Sequence, residues 1–454
     1  MKKPTTEEEA ASAIRKDPRV KSRLRDFLVT DNTSNFLYVA RAYLIAGLMI
    51  ASAIAFFELR ESLGLSFWWN IPVFLISLLV VGASQHQLAG GIHEAVHHTL
   101  FKNRKLNELI SDWFCGFPIL TSTYQFRLYH LAHHQFVNDP ERDPDFALLK
   151  DSGHWMDFPV AKSNFLWMMI RQLLLIDLIR YILVRVKYNT VGSHSNSPYR
   201  KSDDQPRRIP SRIVIFYFMF VIASVFAIQK WGGLTQVILI PLAGWGVVTS
   251  IFYLLPDRFF EEARIKPVFH PRWMYAGLTL SFTLIVSSLA YVQISTGFMA
   301  LRYFSLMWYG ATVTTLPFFL ILRQLIQHGN ADRGWITNTR VFRMNFFVRY
   351  AVFPFGMDYH LPHHMYASVP HYRLKALHRF MMTIPEYSDH CRLVDNYIIP
   401  KNRADRKPTV LEVLGPEHAT NNGEIHIDDS VLDDWEVDEK EEILLSGRPA
   451  PVRP

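Results

Sequence analysis

The chain has 454 residues, 49% of them hydrophobic and 20% charged, with a formal net charge of +7. The apolar residues fall in long runs, which excludes a set of ordinary soluble domains and points to a membrane protein. No basic stretch is interleaved with aromatics, so the positive excess reads as membrane-facing charge and no nucleic-acid partner is expected. Two cysteines, Cys115 and Cys391, supply neither a disulfide framework nor a CxxC metal knuckle.

Residues 1–34 are polar and of mixed charge, without the apolar core of a signal peptide. Lys16, Arg19, Lys21, Arg23 and Arg25 precede the first apolar run, which predicts a cytoplasmic start. A spanning helix needs about 20 mostly apolar residues. Phe36–Phe57 and Ile71–Ile92 meet that requirement, joined by a connector carrying Trp68 and Trp69, as a membrane interface often does. Gly90 and Gly91 permit close approach of another element at the end of the second span. Leu109–Phe126 is apolar but holds Asp112, Gly116 and Pro118, and is read as re-entrant or interfacial. Phe165–Val184 contains Arg171, Asp177 and Arg180. A charge at the bilayer centre costs about 2.5–3.5 kcal/mol, so this segment is expected to lie in the interface. A polar loop follows over 187–212.

Ile213–Gln229 with Leu234–Leu255, and Trp273–Ile294 with Tyr303–Leu322, read as two transmembrane hairpins separated by the charged stretch PDRFFEEARIKPVFHPR. The expectation is an all-α polytopic membrane protein of about six transmembrane helices, an even number that leaves both termini cytoplasmic. The division is a cytoplasmic segment over 1–34, a membrane domain over 35–399, and a polar, disordered tail over 400–454, acidic from Glu417 to Glu442.

Nine of the 19 histidines sit in three boxes: HEAVHH (His93, His97, His98), HLAHH (His130, His133, His134) and HLPHH (His360, His363, His364). On a helix, positions i, i+3 and i+4 share a face, and neutral imidazole is the commonest side-chain metal ligand. His98 lies about 100° round the helix from His97 and so serves a different metal or none. Pro362 suits a first helical turn, which would leave His360 in the preceding extended segment. So many imidazoles exceed the needs of one ion, and two are implied, though spacing does not choose among iron, zinc, copper and nickel. Glu94, Asp143, Asp145 and Asp358 are candidates to accept the far N–H of ligand histidines. The plainer alternative for the proline-rich DPERDPDF stretch is a solvated loop. His86 is expected to be a buried, hydrogen-bonded histidine. His371 and His378 read as surface or packing residues, and His154, His194, His270, His390, His418 and His426 as residues of polar loops or tails.

From about His86 to His378 the three boxes at the cytoplasmic ends of apolar spans resemble the membrane fatty-acid desaturase superfamily. The pattern is specific for the superfamily, which also holds hydroxylases, ketolases and alkane monooxygenases acting on lipids, carotenoids or alkanes. The resemblance implies a cap of histidine boxes on the cytoplasmic side and a centre of two non-haem iron ions (Fe). It also implies O2 as co-substrate and hydrogen removal from an unactivated C–H; desaturation of an acyl lipid is the reading closest in layout. Many members place a further ligand after the last span, where this chain has His328 in RQLIQHGN. Acyl-CoA members carry an asparagine one turn earlier, where this chain has Gln324, so that ligand is not carried over. With no HPGG motif of a fused cytochrome b5, electrons are expected from a separate ferredoxin or cytochrome b5 with its reductase. Two rivals fit less well. A metal transporter places its site near the bilayer midplane, and a haem carrier needs only one or two axial histidines.

Overall fold

The computed structural model describes residues 6–172, 175–189, 198–199, 209–260, 263–399, 406–420 and 426–435. Most of the polar loop expected over 187–212, with His194, and the end of the acidic tail lie outside the described residues. The chain opens with two short amphipathic helices, α1 (Glu7–Lys16) and α2 (Pro18–Phe27). Thr6 and Glu9 close a capping box on α1, and Asp17 caps α2 with Pro18 at its first position. Next come α3 (Ser34–Leu59), α4 (Asn70–Val96), α5 (Arg104–Ser111), α6 (Thr123–Gln135), α7 (Pro144–Asp151), α8 (Lys162–Arg171) and α9 (Leu175–Asn189). Two long helices, α10 (Ile209–Trp231) and α11 (Gln236–Leu254), precede α12 (Pro271–Thr296) and the broken helix α13 (Ala300–Phe304), α14 (Gly310–Val313) and α15 (Thr315–His328). The rest is short: β1 (Val341–Arg343), α16 (Phe346–Val352), α17 (His360–Met365), α18 (His371–Met381), α19 (Pro385–His390), β2 (Leu393–Asp395) and α20 (Val410–Val413). The two strands pair in parallel.

Among the described residues, six helical stretches are long and apolar enough to cross a membrane: Ser34–Leu59, Phe67–Val96, Ile209–Trp231, Gln236–Leu254, Pro271–Thr296 and Ala300–His328. They are the six spans expected from the sequence, five of them extended by a few residues and the fourth slightly shortened, from Leu234–Leu255 to Gln236–Leu254, and the last runs on to His328 instead of ending near Leu322. The Leu109–Phe126 segment forms no single long helix. After α5 it passes through a π-helical turn at Asp112–Gly116 and a 3-10 turn at Phe117–Ile119 before α6 begins. Asp112 accepts from the Thr123 backbone N–H, and Ser122 caps α6 at Gln125. Phe165–Val184 is likewise divided, between α8 and α9.

The spans have two distinguishable ends. At one, Tyr303 bonds Glu58 and Gln293 bonds Gln229. At the other, the Asn35 amide donates to the carbonyls of Thr99 and Leu100, tying the start of α3 to the turn after α4. On this second end sits the cap, with two apolar cores. One joins α1 and α2 to α18 and α19 through Ile14, Val20, Leu374 and Tyr387. The other joins α7, α8, α9, α15 and α20 through Leu149, Phe165, Leu325 and Leu411.

The described parts of the tail are ordered against the rest of the chain. Within 406–420 and 426–435, Thr409 caps α20, Leu411, Leu414 and Leu432 are buried, and Trp435 is 8% exposed. Asp429 accepts from the Gln135 amide, and His426 donates its backbone N–H to Arg333. His154 and His426 lie in loop segments as expected, but both are packed and hydrogen-bonded. His154 is buried between Ser152 and Gln172, and His426 bonds Arg15. His86 is buried and bonded to the Ala351 carbonyl as expected, while His371 and His378 are packing residues bonded to Asn35 and Tyr387.

Candidate metal centre

Two glycines bring the three boxes together at the end of α4. A Cβ on Gly90 would stand 2.8 Å from both Pro354 and Phe355, and one on Gly91 would stand 2.7 Å from Cys115 Sγ. Only bare backbone lets the turn before α17 and the turn before α6 press on α4 one helical turn short of His93. His97 is the C-terminal cap residue of α4. All three histidines of α6 are buried. His360 is the first residue of α17 and not part of an extended lead-in, because the helix starts two residues before Pro362. Pro362 still lies in the first turn, where its missing N–H leaves no carbonyl unpaired.

Nine imidazoles converge in two groups, within each of which one nitrogen per ring lies within 4.8 Å of all the others. The first holds His93, His97, His130, His134 and His363; the second holds His133, His328, His360 and His364. They adjoin: the rings of His134 and His364 stack 4.2 Å apart. α6 therefore sends His130 and His134 to one group and His133 to the other, and α17 likewise divides His363 from His360 and His364.

The spacing of the nitrogens tests what could sit among them. His97 and His130 have their Nε2 atoms 3.1 Å apart, and His134 and His363 3.0 Å apart. His360 Nε2 lies 2.9 Å from His328 Nε2 and 3.1 Å from His364 Nε2. A ring nitrogen has one in-plane position, a lone pair or an N–H, so His360 Nε2 cannot hydrogen-bond both neighbours well. Two ligands at about 2.1 Å from one metal stand about 3.0 Å apart at a right angle and about 3.4 Å apart at the tetrahedral angle. The observed spacing matches right-angled coordination, and five nitrogens in one group exceed a tetrahedral set. Both nitrogens of His93 and the Nδ1 atoms of His134, His360 and His363 are buried without hydrogen-bond partners among the described residues. A metal would take the convergent nitrogen of each ring, Nε2 in His97, His130, His134, His328, His360, His363 and His364, and one of the two unpartnered nitrogens of His93, so the groups of five and four nitrogens each fit one ion.

Protonation favours the same occupant. Burial, with Arg127 nearby, pushes His97 down to about 3. Burial followed by mutual repulsion holds His130, His134, His360, His363 and His364 well below the ordinary imidazole range. These rings are neutral at pH 7, as ligands must be. His133 differs: burial lowers it, but Asp143 and Asp145 outweigh burial and lift it to about 9.

Asp143 accepts from His133 Nδ1 at 3.0 Å while its other oxygen accepts from the Asn138 backbone, so it fixes the ring with Nε2 facing the group. Asp145 lies 3.6 Å from the same Nδ1. Glu94 stands 3.7 Å from His93 Nδ1, beyond a hydrogen bond, and instead accepts from Thr99 Oγ1 and the His371 backbone. Asp358 does not reach a box histidine; it pairs with Arg349 at 2.8 Å. His98 is the one box residue outside both groups. Its backbone is left-handed, at φ 57°, and its ring stacks 3.8 Å from Trp435.

The family model for fatty acid desaturase matches residues 66–256 and 247–393. The chain belongs to the fatty acid desaturase family. It is 29% identical over 140 residues to dihydrorhizobitoxine desaturase of Bradyrhizobium elkanii, covering 30% of this chain and 36% of that protein. It is 27% identical over 139 residues to a sphingolipid delta(4)-desaturase of Drosophila melanogaster, covering 30% of this chain and 39% of that one. A delta(5) fatty acid desaturase of Caenorhabditis elegans is 37% identical over 76 residues, 17% of each chain. The matched regions span well under two thirds of these relatives.

His328, which belongs to no box, is the last residue of α15. Gly329 ends that helix, though not by a left-handed turn: its φ is −57°. Glycine is needed there for space, since a Cβ would stand 2.4 Å from Phe158. Arg340, buried, donates to the carbonyls of Ile326 and Gly329 and holds this helix end in place. Burial pushes Arg340 down to about 9. The sequence reading missed it, and also missed the buried pair of Arg127 with Glu108 at 2.5 Å, over which Trp435 lies 4.0 Å from the guanidinium. Arg127 is the only charged residue in the helix TYQFRLYHLAHHQ apart from its histidines, the one signal that marked it.

Proposed function

We propose that this chain is an O2-dependent membrane desaturase that introduces a double bond into an alkyl chain of a lipid at two histidine-held iron ions. The observation that carries the reading is the convergence of nine buried imidazoles into two adjoining groups with right-angled nitrogen spacing. His93, His97, His130, His134 and His363 would hold one ion, and His133, His328, His360 and His364 the other. Bound there, the pair of ions would supply, with O2 and external electrons, the oxidising power that removes hydrogen from an unactivated C–H.

The protein's own part is to position and insulate. Asp143 orients His133, and the Asn338 carbonyl accepts from His328 Nδ1 at 3.3 Å. Burial keeps the remaining imidazoles neutral and excludes bulk water from the site. Electrons come from a separate carrier of ferredoxin or cytochrome b5 type. The cap and both ends of the described chain face the cytoplasm, where such a carrier docks.

The test is expression in a host of known lipid composition. New olefinic product, dependent on O2, with about two iron ions per purified chain, is the expected result. Stoichiometric zinc with no activity after iron reconstitution would overturn it, and an alcohol product would reassign the chain to hydroxylation.

A further inference from the structure

A small cavity lies between the metal groups and α9. Its lining includes imidazoles from both groups, His93, His133 and His328 among them, with Arg185 of α9, Arg323 and Gln324 of α15, and the carboxylate of Asp145. Its volume is ≈ 30 Å³, where one water needs about 10–15 Å³ on the same measure. It has room for a group of two or three heavy atoms.

Arg323 is the informative residue. Its Nε is buried with no hydrogen-bond partner among the described residues, as is Gln324 Oε1. Asp145 contributes negative charge to Arg323, but that carboxylate also faces His133 Nδ1 at 3.6 Å. Two guanidinium groups therefore share the cavity with one carboxylate, Asp145, which also faces His133, beside a centre that gains positive charge when metals bind. Two guanidinium groups exceed that one carboxylate in charge, and a planar guanidinium matches a carboxylate with two parallel N–H donors.

The geometry points to a binding site for a free carboxylate carried by the substrate. This rests on the desaturase reading and narrows its substrate class. Arg323 precedes His328 by five residues, about 7.5 Å along α15. A carboxylate held there puts the oxidised C–H within a handful of bonds of it. The substrate is then an amphiphilic acid oxidised near its acidic end, not an ester-linked chain oxidised far along its length. The large apolar cavity of ≈ 880 Å³ between α10, α12 and α13 does not serve this end. Its lining residue Thr312 precedes His328 by sixteen residues, about 24 Å of helix.

The test is binding of hexanoate, methyl hexanoate and hexyl phosphate to the full-length, metal-loaded protein in detergent, read by calorimetry and by the rise in thermal midpoint. Hexanoate should bind about tenfold or more tighter than its methyl ester. Arg323→Gln should abolish that preference at unchanged metal content, and Arg302→Gln, which lines the distant apolar cavity, should keep it. Should Arg323→Gln fail to fold, Arg323→Lys, with the charge but not the fork, should show a weakened preference. Equal binding of acid and ester, or a full preference in Arg323→Gln, overturns the site, and tighter binding of hexyl phosphate overturns the carboxylate assignment. An acid preference in a chain that holds no iron would sink the desaturase reading and leave this site standing. Iron and olefinic product without any acid preference would do the reverse.

Discussion

His328 is the candidate ligand that belongs to no box, and its removal should separate the two metal groups. His328→Ala is expected to take iron from about two ions per chain to about one, because the first group shares no ring with the second. His270→Ala, which loses a contact to Asp257, the cap on α12 through the Arg272 backbone N–H and a ring contact with Phe260 but belongs to neither group, should keep both. Elemental analysis of the purified chains decides it, and full iron in His328→Ala would remove that residue from the ligand set. Asp112 gives a signed pH dependence. Burial, then the neighbouring Glu108, lifts it to about 7 from the ordinary carboxylate value of 3.8. A raised acid favours the protonated folded state, so its penalty is absent below the unfolded value, grows as pH rises, and is complete above about 7. Asp112→Asn should therefore raise the thermal midpoint more at pH 8 than at pH 5.5, by an amount equivalent to about 2 kcal/mol at most. A gain independent of pH would show that Asp112 is ionised at both.

At the scale of elements, the packing under His93 depends on Gly90. Gly90→Val would drive Pro354 and Phe355 away from α4 and move α17 with them, at about 1–3 kcal/mol. Retained iron should fall with it. Gly246→Ala, with nothing within 4 Å of the added atom, is the neutral comparison. Equal effects of the two would refute the close-approach argument. The six spans were legible because about 20 apolar residues in a row have few other uses, and the boxes because i, i+3 and i+4 histidines share a face. What no spacing showed is that neighbours on one helix would divide between two groups. His133 and His134 are adjacent on α6 yet serve different groups, and His363 leaves its own box for the first group. That division is set by where α4, α15 and α17 stand around α6, a tertiary fact. His98 shows the converse: it matches a box in sequence, but the chain turns left-handed there and aims the ring at Trp435.

For the whole molecule, the described tail segments 406–420 and 426–435 are a structural part of the cap. Composition hid this, because Leu432 and Trp435 are isolated apolar residues in an acidic stretch. A chain ending at Thr420 loses both, together with the Asp429 contact to Gln135 at the end of α6. Trp435→Ala alone should cost about 3 kcal/mol, and the truncation should lower the thermal midpoint by several times the roughly 2–4 °C that one kcal/mol corresponds to in a large domain. An unchanged midpoint would return the segment to the solvated tail its composition suggests. Orientation is open to labelling. Single cysteines at Ser66 and at Gly232 should react with an impermeant reagent from outside intact cells, and one at Lys105, exposed on the cap side, should not. The reverse pattern would invert the topology proposed above.

The order in which the ligands leave the ribosome has a consequence for how the centre matures. His93 and His364 are separated by 271 residues, which at about 5–20 residues per second means roughly 15–55 s between the first ligand and the last. Until α17 is made, the first group lacks His363 and the second lacks His360 and His364. Throughout that interval the imidazoles already inserted are open to any divalent ion the cell holds free, and tighter binders than iron(II) stand above it in the usual order of affinities. For the iron pair proposed above, faithful loading is thus a post-translational event, and overexpressed protein should carry a share of zinc that falls when synthesis is slowed and iron is plentiful.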